Sequence, residues 1–306
     1  MTSLHQTIAT ICLVIAICGG FANATTRVVD ERRIAEPQGS VEIINTSGRI
    51  TVTGWDRSEV AITGTLDERV ERIEFISNGD KTIIRVVSRK LVPGNPNSGE
   101  AILSIRIPQQ SLLHISSVSA DLVIRQVLGE QKLSTVSGDV DAELRAETSI
   151  RSVSGDIRLA TTPETKRLEI NSVSGNINVR GGASGFVNVK TVSGDGNFSL
   201  GALADAKFQT VSGNFDLKLA LEPGGRLAAE SVSGLLGINF ASLPAARFKL
   251  RTFSGDLDLC AAIRPIAGVA PTNRAERRNR EFRSGDGEGR VDVQTMSGEV
   301  RLCVSP

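Results

Sequence analysis

From about residue 40 to residue 304 apolar and polar positions alternate in short runs, each broken by the same five-residue signal. Thr135-Val136-Ser137-Gly138-Asp139 recurs as Ser152-Val153-Ser154-Gly155-Asp156 and as Ser172-Val173-Ser174-Gly175-Asn176. It returns at 191–195, 210–214, 231–235, 252–256 and 295–299, and 117–121 is a copy with Ala120 in place of glycine. From Ala120 to Gly298 the steps are 18, 17, 20, 19, 19, 21, 21 and 43 residues. With the glycine as position 0, positions −7 and −5 are mostly apolar (Leu168 and Ile170, Val187 and Val189, Phe248 and Leu250), while −4 is polar (Arg151, Asn171, Lys190, Gln209). That period of two predicts a strand with one buried face. Positions +2 and +4 are apolar again (Ile157 and Leu159, Ile177 and Val179), which predicts a second strand. Its inward parity matches the valine at −2, so the chain is expected to bend at the Ser/Thr-Val-Ser-Gly segment with that valine inside. Glycine suits a corner where φ is positive, and Asp or Asn after it tolerates turn geometry.

Two or three short strands and their corners per 17–21 residues make one rung of an all-β, single-stranded parallel β-helix, or β-solenoid. Neither strand face is buried within one rung, so rungs must stack. Stacking predicts ladders: valine on valine inside, and Ser or Thr on its counterpart at the bend, bonded to the turn backbone or to neighbouring rungs. Crossover chirality makes the coil right-handed. The same template fits Val41, Ile43, Gly48, Ile50 and Val52. Between that rung and Ala120, strands at 60–66, 70–76, 83–87 and 102–107 extend the stack N-terminally, with a hairpin turn at Asn78-Gly79-Asp80 and a loop at 93–99.

Composition narrows the function. The 306 residues are 40% hydrophobic and 23% charged, enough apolar material for a folded body. Lys and Arg number 35 against 34 Asp and Glu, so no global field points to nucleic acid or an anionic membrane. Ten Phe, one Trp and no Tyr leave little for stacking on bases or sugars. Residues 8–18 are apolar and uncharged, and Ala22-Asn23-Ala24 forms a cleavage site before Thr25. Residues 1–24 therefore read as a signal peptide, 25–39 as a lead-in and 40–304 as the solenoid, with an insertion at 261–290. Ile17 before Cys18 is a poor lipidation signal. The mature chain has no stable transmembrane segment, and it is exported to the periplasm or the cell surface. Its two remaining cysteines, Cys260 and Cys303, each lie five residues after a repeat glycine. They hold the same position in what should be adjacent rungs ~4.8 Å apart, within reach of a disulfide.

The repeated Thr/Ser-Val-Ser-Gly-Asp-Ile/Val rung, with the opening Gly48-Arg49-Ile50-Thr51-Val52-Thr53-Gly54-Trp55-Asp56, resembles the DUF4097 family of bacterial adhesin-like proteins over roughly residues 40–304. The resemblance implies a right-handed β-helical fold related to adhesin head domains. It supplies no catalytic residue. Ala120 and the long insertion before the last rung depart from the pattern.

Candidate chemistry is sparse. The column Asp139, Asp156, Asn176, Asp195, Asn214, Asp256 resembles a Ca²⁺ or acid–base ladder, but it alternates with Asn and is broken by Leu235, as turn residues would be. His114, the single mature histidine, falls at a polar surface position. No phosphate loop, dinucleotide fingerprint or zinc spacing is present, so no catalytic residue, cofactor or metal is assigned. Within the insertion, Arg274, Arg277, Arg278, Arg280 and Arg283 read as a solvated loop or as a recognition loop for an anionic partner. The function expected is that of a non-enzymatic, adhesin-like envelope protein whose partner is an unknown envelope polymer or protein. The alternatives are a carbohydrate-active enzyme on a β-helix and a periplasmic scaffold binding a protein partner. Intact mass of the protein from its native host should show loss of residues 1–24; retained Met1 contradicts the leader.

Overall fold

The computed structural model describes residues 26–89, 99–264, 266–268 and 278–304. The leader at 1–24 and residues 93–98 of the expected loop lie outside them. The N-terminal end contains β1 (Arg27–Ile34), β2 (Ser40–Trp55), β3 (Glu59–Leu66), β4 (Val70–Asn78), β5 (Lys81–Ser88) and β6 (Ala101–Pro108). The body runs through β7 (Leu112–Arg125), β8 (Gln131–Thr135), β9 (Val140–Leu144), β10 (Thr148–Ser152), β11 (Ile157–Thr161), β12 (Arg167–Asn171) and β13 (Ile177–Gly181). It continues through β14 (Gly185–Lys190), β15 (Gly196–Thr210), β16 (Phe215–Ser231) and β17 (Leu235–Phe240). The C-terminal end contains β18 (Ala246–Thr252), β19 (Leu257–Leu259), β20 (Asn279–Arg283), β21 (Gly289–Thr295) and β22 (Glu299–Val304).

The strands are parallel along the body, as stacked rungs require, with the register interrupted only at Gly185–Phe186 and at two points between β15 and β16. Strands before the corner form one face, in which Ile150, Ile170, Val189, Phe208 and Ala229 stand opposite one another in turn. Strands after it form a second, in which Val140, Ile157, Ile177, Gly196, Phe215 and Leu236 do the same. All of these except Gly196 belong to the buried hydrophobic core. At Gly196 the missing side chain makes room for a cluster of Phe198, Phe208 and Phe215, whose centroids lie 5.1–6.4 Å apart edge to face. The fold is all-β and solenoid-like.

Both ends depart from chain order in the same way. The Gly48 and Ala120 corners are direct neighbours, because β2 pairs with β7. The residues between them fold onto the other side of β2, where β5 and β6 run parallel to it. Antiparallel β4, β3 and β1 then cover that end, which protects the edge from open pairing. Gly79, at φ +59°, makes the expected hairpin turn between β4 and β5. The lead-in expected at 25–39 thus contains a strand. At the other end β21 pairs on one side with β16 and on the other with β18, and β22 lies between β17 and β19. The last rung in the chain is therefore the second-last in the stack. β20 runs antiparallel to β18 and ends that face, so the expected loop at 261–290 includes an ordered strand. Phe282 on β20 lies flat against Phe248, with centroids 4.6 Å apart.

The corner corrects the sequence reading. Position −3, not −2, is buried: Thr191 is 7% exposed and Val192 47%. The reason lies in the peptide joining −1 to 0, which must place either its carbonyl or its N–H against the interior. In five rungs the −3 hydroxyl donates to the −1 carbonyl: Ser152 to Ser154, Ser172 to Ser174, Thr191 to Ser193, Thr210 to Ser212 and Ser231 to Ser233, at 2.8–3.1 Å. In each of these the glycine has positive φ, +109° at Gly194, and a Cβ there would fall on the carbonyl oxygen of Gly175. In other rungs the peptide is flipped, and the N–H at 0 donates to the hydroxyl: Gly138 to Thr135, Gly255 to Thr252 and Gly298 to Thr295. Ala120 donates to Ser117 in the same way at 3.0 Å. Its backbone is not left-handed, so alanine is tolerated there. A hydroxyl both donates and accepts, and so serves either orientation; valine serves neither.

Replacing Thr191 by Val should therefore destabilise by about 1–2 kcal/mol, whereas Val192→Thr should stay within about 0.5 kcal/mol. Gly194→Val should cost roughly 1–3 kcal/mol, more than Asn197→Val on the open face. Thermal melts of the four variants check both orders, and equal midpoints within either pair contradict this account of the corner.

Candidate functional site

The aspartate and asparagine column is built into the backbone ladder. The side-chain oxygen at +1 accepts the +1 amide of the next rung. Asp156 N–H donates to Asp139 at 2.9 Å, Asn176 N–H to Asp156 at 3.0 Å, Asp195 N–H to Asn176 at 3.2 Å and Asn214 N–H to Asp195 at 2.8 Å. Only a carbonyl-type oxygen is needed, which explains why Asp and Asn interchange. The ladder stops at Leu235, which has no acceptor, and there Glu299 N–H turns to the Gly234 carbonyl. Arg158 bridges Asp139 and Asp156 at 3.1 and 2.8 Å. Its guanidinium is held above its ordinary pKa chiefly by the hydrogen bond to Asp139. His114 is half-buried on the outer side of β7, level with Glu42 and Lys132 on the flanking strands. Among the described residues no three His, Cys, Asp or Glu side chains form a metal-binding group.

Of the insertion arginines, Arg278, Arg280 and Arg283 fall among the described residues. Arg274 and Arg277 lie outside the described residues. Arg280 and Arg283 stand on opposite sides of β20, with Arg280 half-buried and donating to the Ala267 carbonyl at 3.1 Å while Arg283 is exposed. Arg278 directly precedes β20 and is half-buried. The strand's outward Glu281 already pairs with Lys249 and Arg251 at 3.6 and 3.4 Å. This arrangement makes β20 part of the end cap.

The concavity that sequence reasoning missed lies on the outer side of the second face. Gly237 stands between Asp216 and Arg301 in register. Its missing side chain opens a groove of about 470 Å³ across five rungs. Asn178, Asn197, Asp216, Lys218, Asn239 and Arg301 line it. The Asn239 side-chain oxygen is buried and accepts no hydrogen bond among the described residues. Arg301 is anchored by Glu299 at 2.8 Å and Asp258 at 3.5 Å. Cys303 also lines the groove and is bonded to Cys260, with Cα atoms 5.0 Å apart. The periodic equivalence of the two cysteines was the one signal of this region in the sequence; a glycine at an outward position carries none.

Stacked parallel rungs with a repeated Ser/Thr-Val-Ser-Gly corner define the class of β-solenoid-like repeat proteins. The family model of Toastrack DUF4097 matches residues 33–303, and the chain belongs to that family. A "putative adhesin" of Bacteroides fragilis is 11% identical, with 90% of this chain and 97% of that one covered and a TM-score of 0.42. A "putative adhesin" and a "putative lipid binding protein", both of Parabacteroides distasonis, are 8% and 13% identical. These cover 92% and 93% of this chain and 98% of each of theirs, and both have a TM-score of 0.34. No curated protein matches. No helix among the described residues is long and apolar enough to cross a membrane.

The 43-residue span closed by Cys260–Cys303 should contribute about 4 kcal/mol in the chain-entropy model. Denaturant unfolding with and without reductant measures it. Unreduced protein should show no titratable thiol, and two free thiols would contradict the bond.

Proposed function

We propose that this protein is a non-enzymatic, exported, adhesin-like envelope protein that presents a rigid surface on a single-stranded, right-handed β-solenoid. The observation that carries this reading is the groove over Gly237. Its wall is mostly apolar surface edged by Asn178, Asn197, Asp216, Lys218, Asn239 and Arg301, and it is open to solvent across five rungs, which suits an extended envelope polymer with both apolar and polar faces. The acidic column lends itself to structure rather than to acid–base work, since its oxygens are engaged by backbone amides from rung to rung. The disulfide supports a location outside the cytoplasm, in the periplasm or at the surface.

Calorimetric titration of the mature protein with fractionated envelope polysaccharides tests the reading. Binding should weaken at least about tenfold in Gly237→Arg, which fills the groove without touching the core. Unchanged affinity would place recognition elsewhere. Chain shortening of an acidic polysaccharide, lost on changing Asp156 or Asp195, would establish the enzymatic alternative.

A further inference from the structure

An unbroken row of apolar side chains faces solvent along most of the stack. Position −2 supplies the valines from Val118 to Val232, then Met296 and Phe253: nine side chains, each 45–74% exposed. Amides at −1 bond the −2 carbonyl of the rung before, as Ser193 to Val173 at 2.9 Å and Ser254 to Met296 at 2.8 Å. The corner is therefore a third, narrow hydrogen-bonded face, and its apolar row is held in register. A continuous exposed apolar strip with polar margins is a feature of interaction surfaces.

The margins are patterned. One is formed by position −4 and the other by position +1. Arg151, Lys190 and Arg251 at −4 share their rungs with Asp156, Asp195 and Asp256 at +1. Asn171 and Gln209 at −4 share theirs with Asn176 and Asn214, and the one acid at −4, Glu230, shares its rung with Leu235. None of the nine rungs carries acids in both margins. This matching is only partly used within the chain: the Arg151 and Lys190 side chains have no hydrogen-bond or ion-pair partner among the described residues, whereas Arg251 pairs with Glu281 at 3.4 Å and Asp156 with Arg158 at 2.8 Å.

We infer that the apolar row is the interface between two copies of this chain, packed corner to corner about a twofold axis parallel to the stack. That axis sets every rung level with its own counterpart, so the −4 margin of one copy meets the +1 margin of the other. Arg151 then faces Asp156 of the second copy, Lys190 faces Asp195, and the acid Glu230 faces the uncharged Leu235. A twofold perpendicular to the stack would instead set −4 against −4 and waste the matching. A strip nine rungs long at ~4.8 Å per rung and about 17 Å wide offers roughly 700 Å² per copy, near the ~800 Å² of a standard specific interface. Closure by a twofold also uses the row up and leaves no sticky edge for further growth.

Sedimentation of the mature protein over a range of concentrations should show a dimer. The pair Val173→Glu and Val192→Glu should weaken it at least about a hundredfold, by setting carboxylates against one another in the apolar strip. Both sites are half-exposed, so an unchanged circular dichroism spectrum and melting midpoint separate this loss from misfolding. Single variants Val136→Cys, Val192→Cys and Val232→Cys, with the native disulfide intact, should each cross-link to themselves on mild oxidation. Self-cross-linking at only one of the three would mean the perpendicular twofold and would overturn the proposal. So would a monomer at every concentration, or a dimer indifferent to the glutamates.

Discussion

At each corner of the stack, a buried side chain at −3 meets the one peptide group that has to turn inward. That hydrogen bond governs much else. It puts a small polar residue in a slot that the strand pattern would otherwise give to valine, and it pushes the valine to the outside. It separates corners that need a left-handed glycine from corners that accept Ala120. In the Gly48 rung the amide of Asn45 plays the same part, donating to the Ser47 carbonyl at 3.0 Å. Each such group left unpaired would cost about 1–3 kcal/mol. Summed over the rungs, that is on the order of a whole domain's folding stability.

Stacking creates a second demand, at the ends. A parallel stack leaves an open row of backbone donors and acceptors on its last rung. This chain answers it twice by folding a later or earlier segment outside its terminal rung. At the N-terminal end β5 and β6 lie outboard of β2; at the C-terminal end β18 and β19 lie outboard of β21 and β22. Antiparallel β4, β3 and β1 then cover the N-terminal end and β20 the C-terminal one, and the Cys260–Cys303 bond ties the inserted rung to the one that covers it. The interruption of the +1 ladder at Leu235 falls at this seam, where the inserted rung finds its bond from Gly234 instead.

The candidate site was legible only in part. The cysteine pair could be read because equal offsets from a repeat glycine put two residues at equal places in their rungs. The acidic column could be read as structural because Asp and Asn alternate, as an acceptor role allows and a charged role does not. The linear sequence groups Arg280 with Arg283, but the alternation of β20 sends these two to opposite sides. The groove over Gly237 gave no signal, since it consists of a side chain that is missing between two that are present.

The repeat fixed, in the amino-acid sequence alone, which residues are equivalent, that the strands are short and parallel, and that they must stack to bury their apolar sides. It did not fix which rung lies beside which. Nearly identical rungs offer nearly identical contacts to any neighbour, so their order is degenerate at the level of local pattern. Connection lengths and the exposed ends break that degeneracy. Nor did alternation decide whether −3 or −2 turns inward, because a corner resets the parity of a strand. There the tertiary structure decided, through the need of one buried peptide group for a partner.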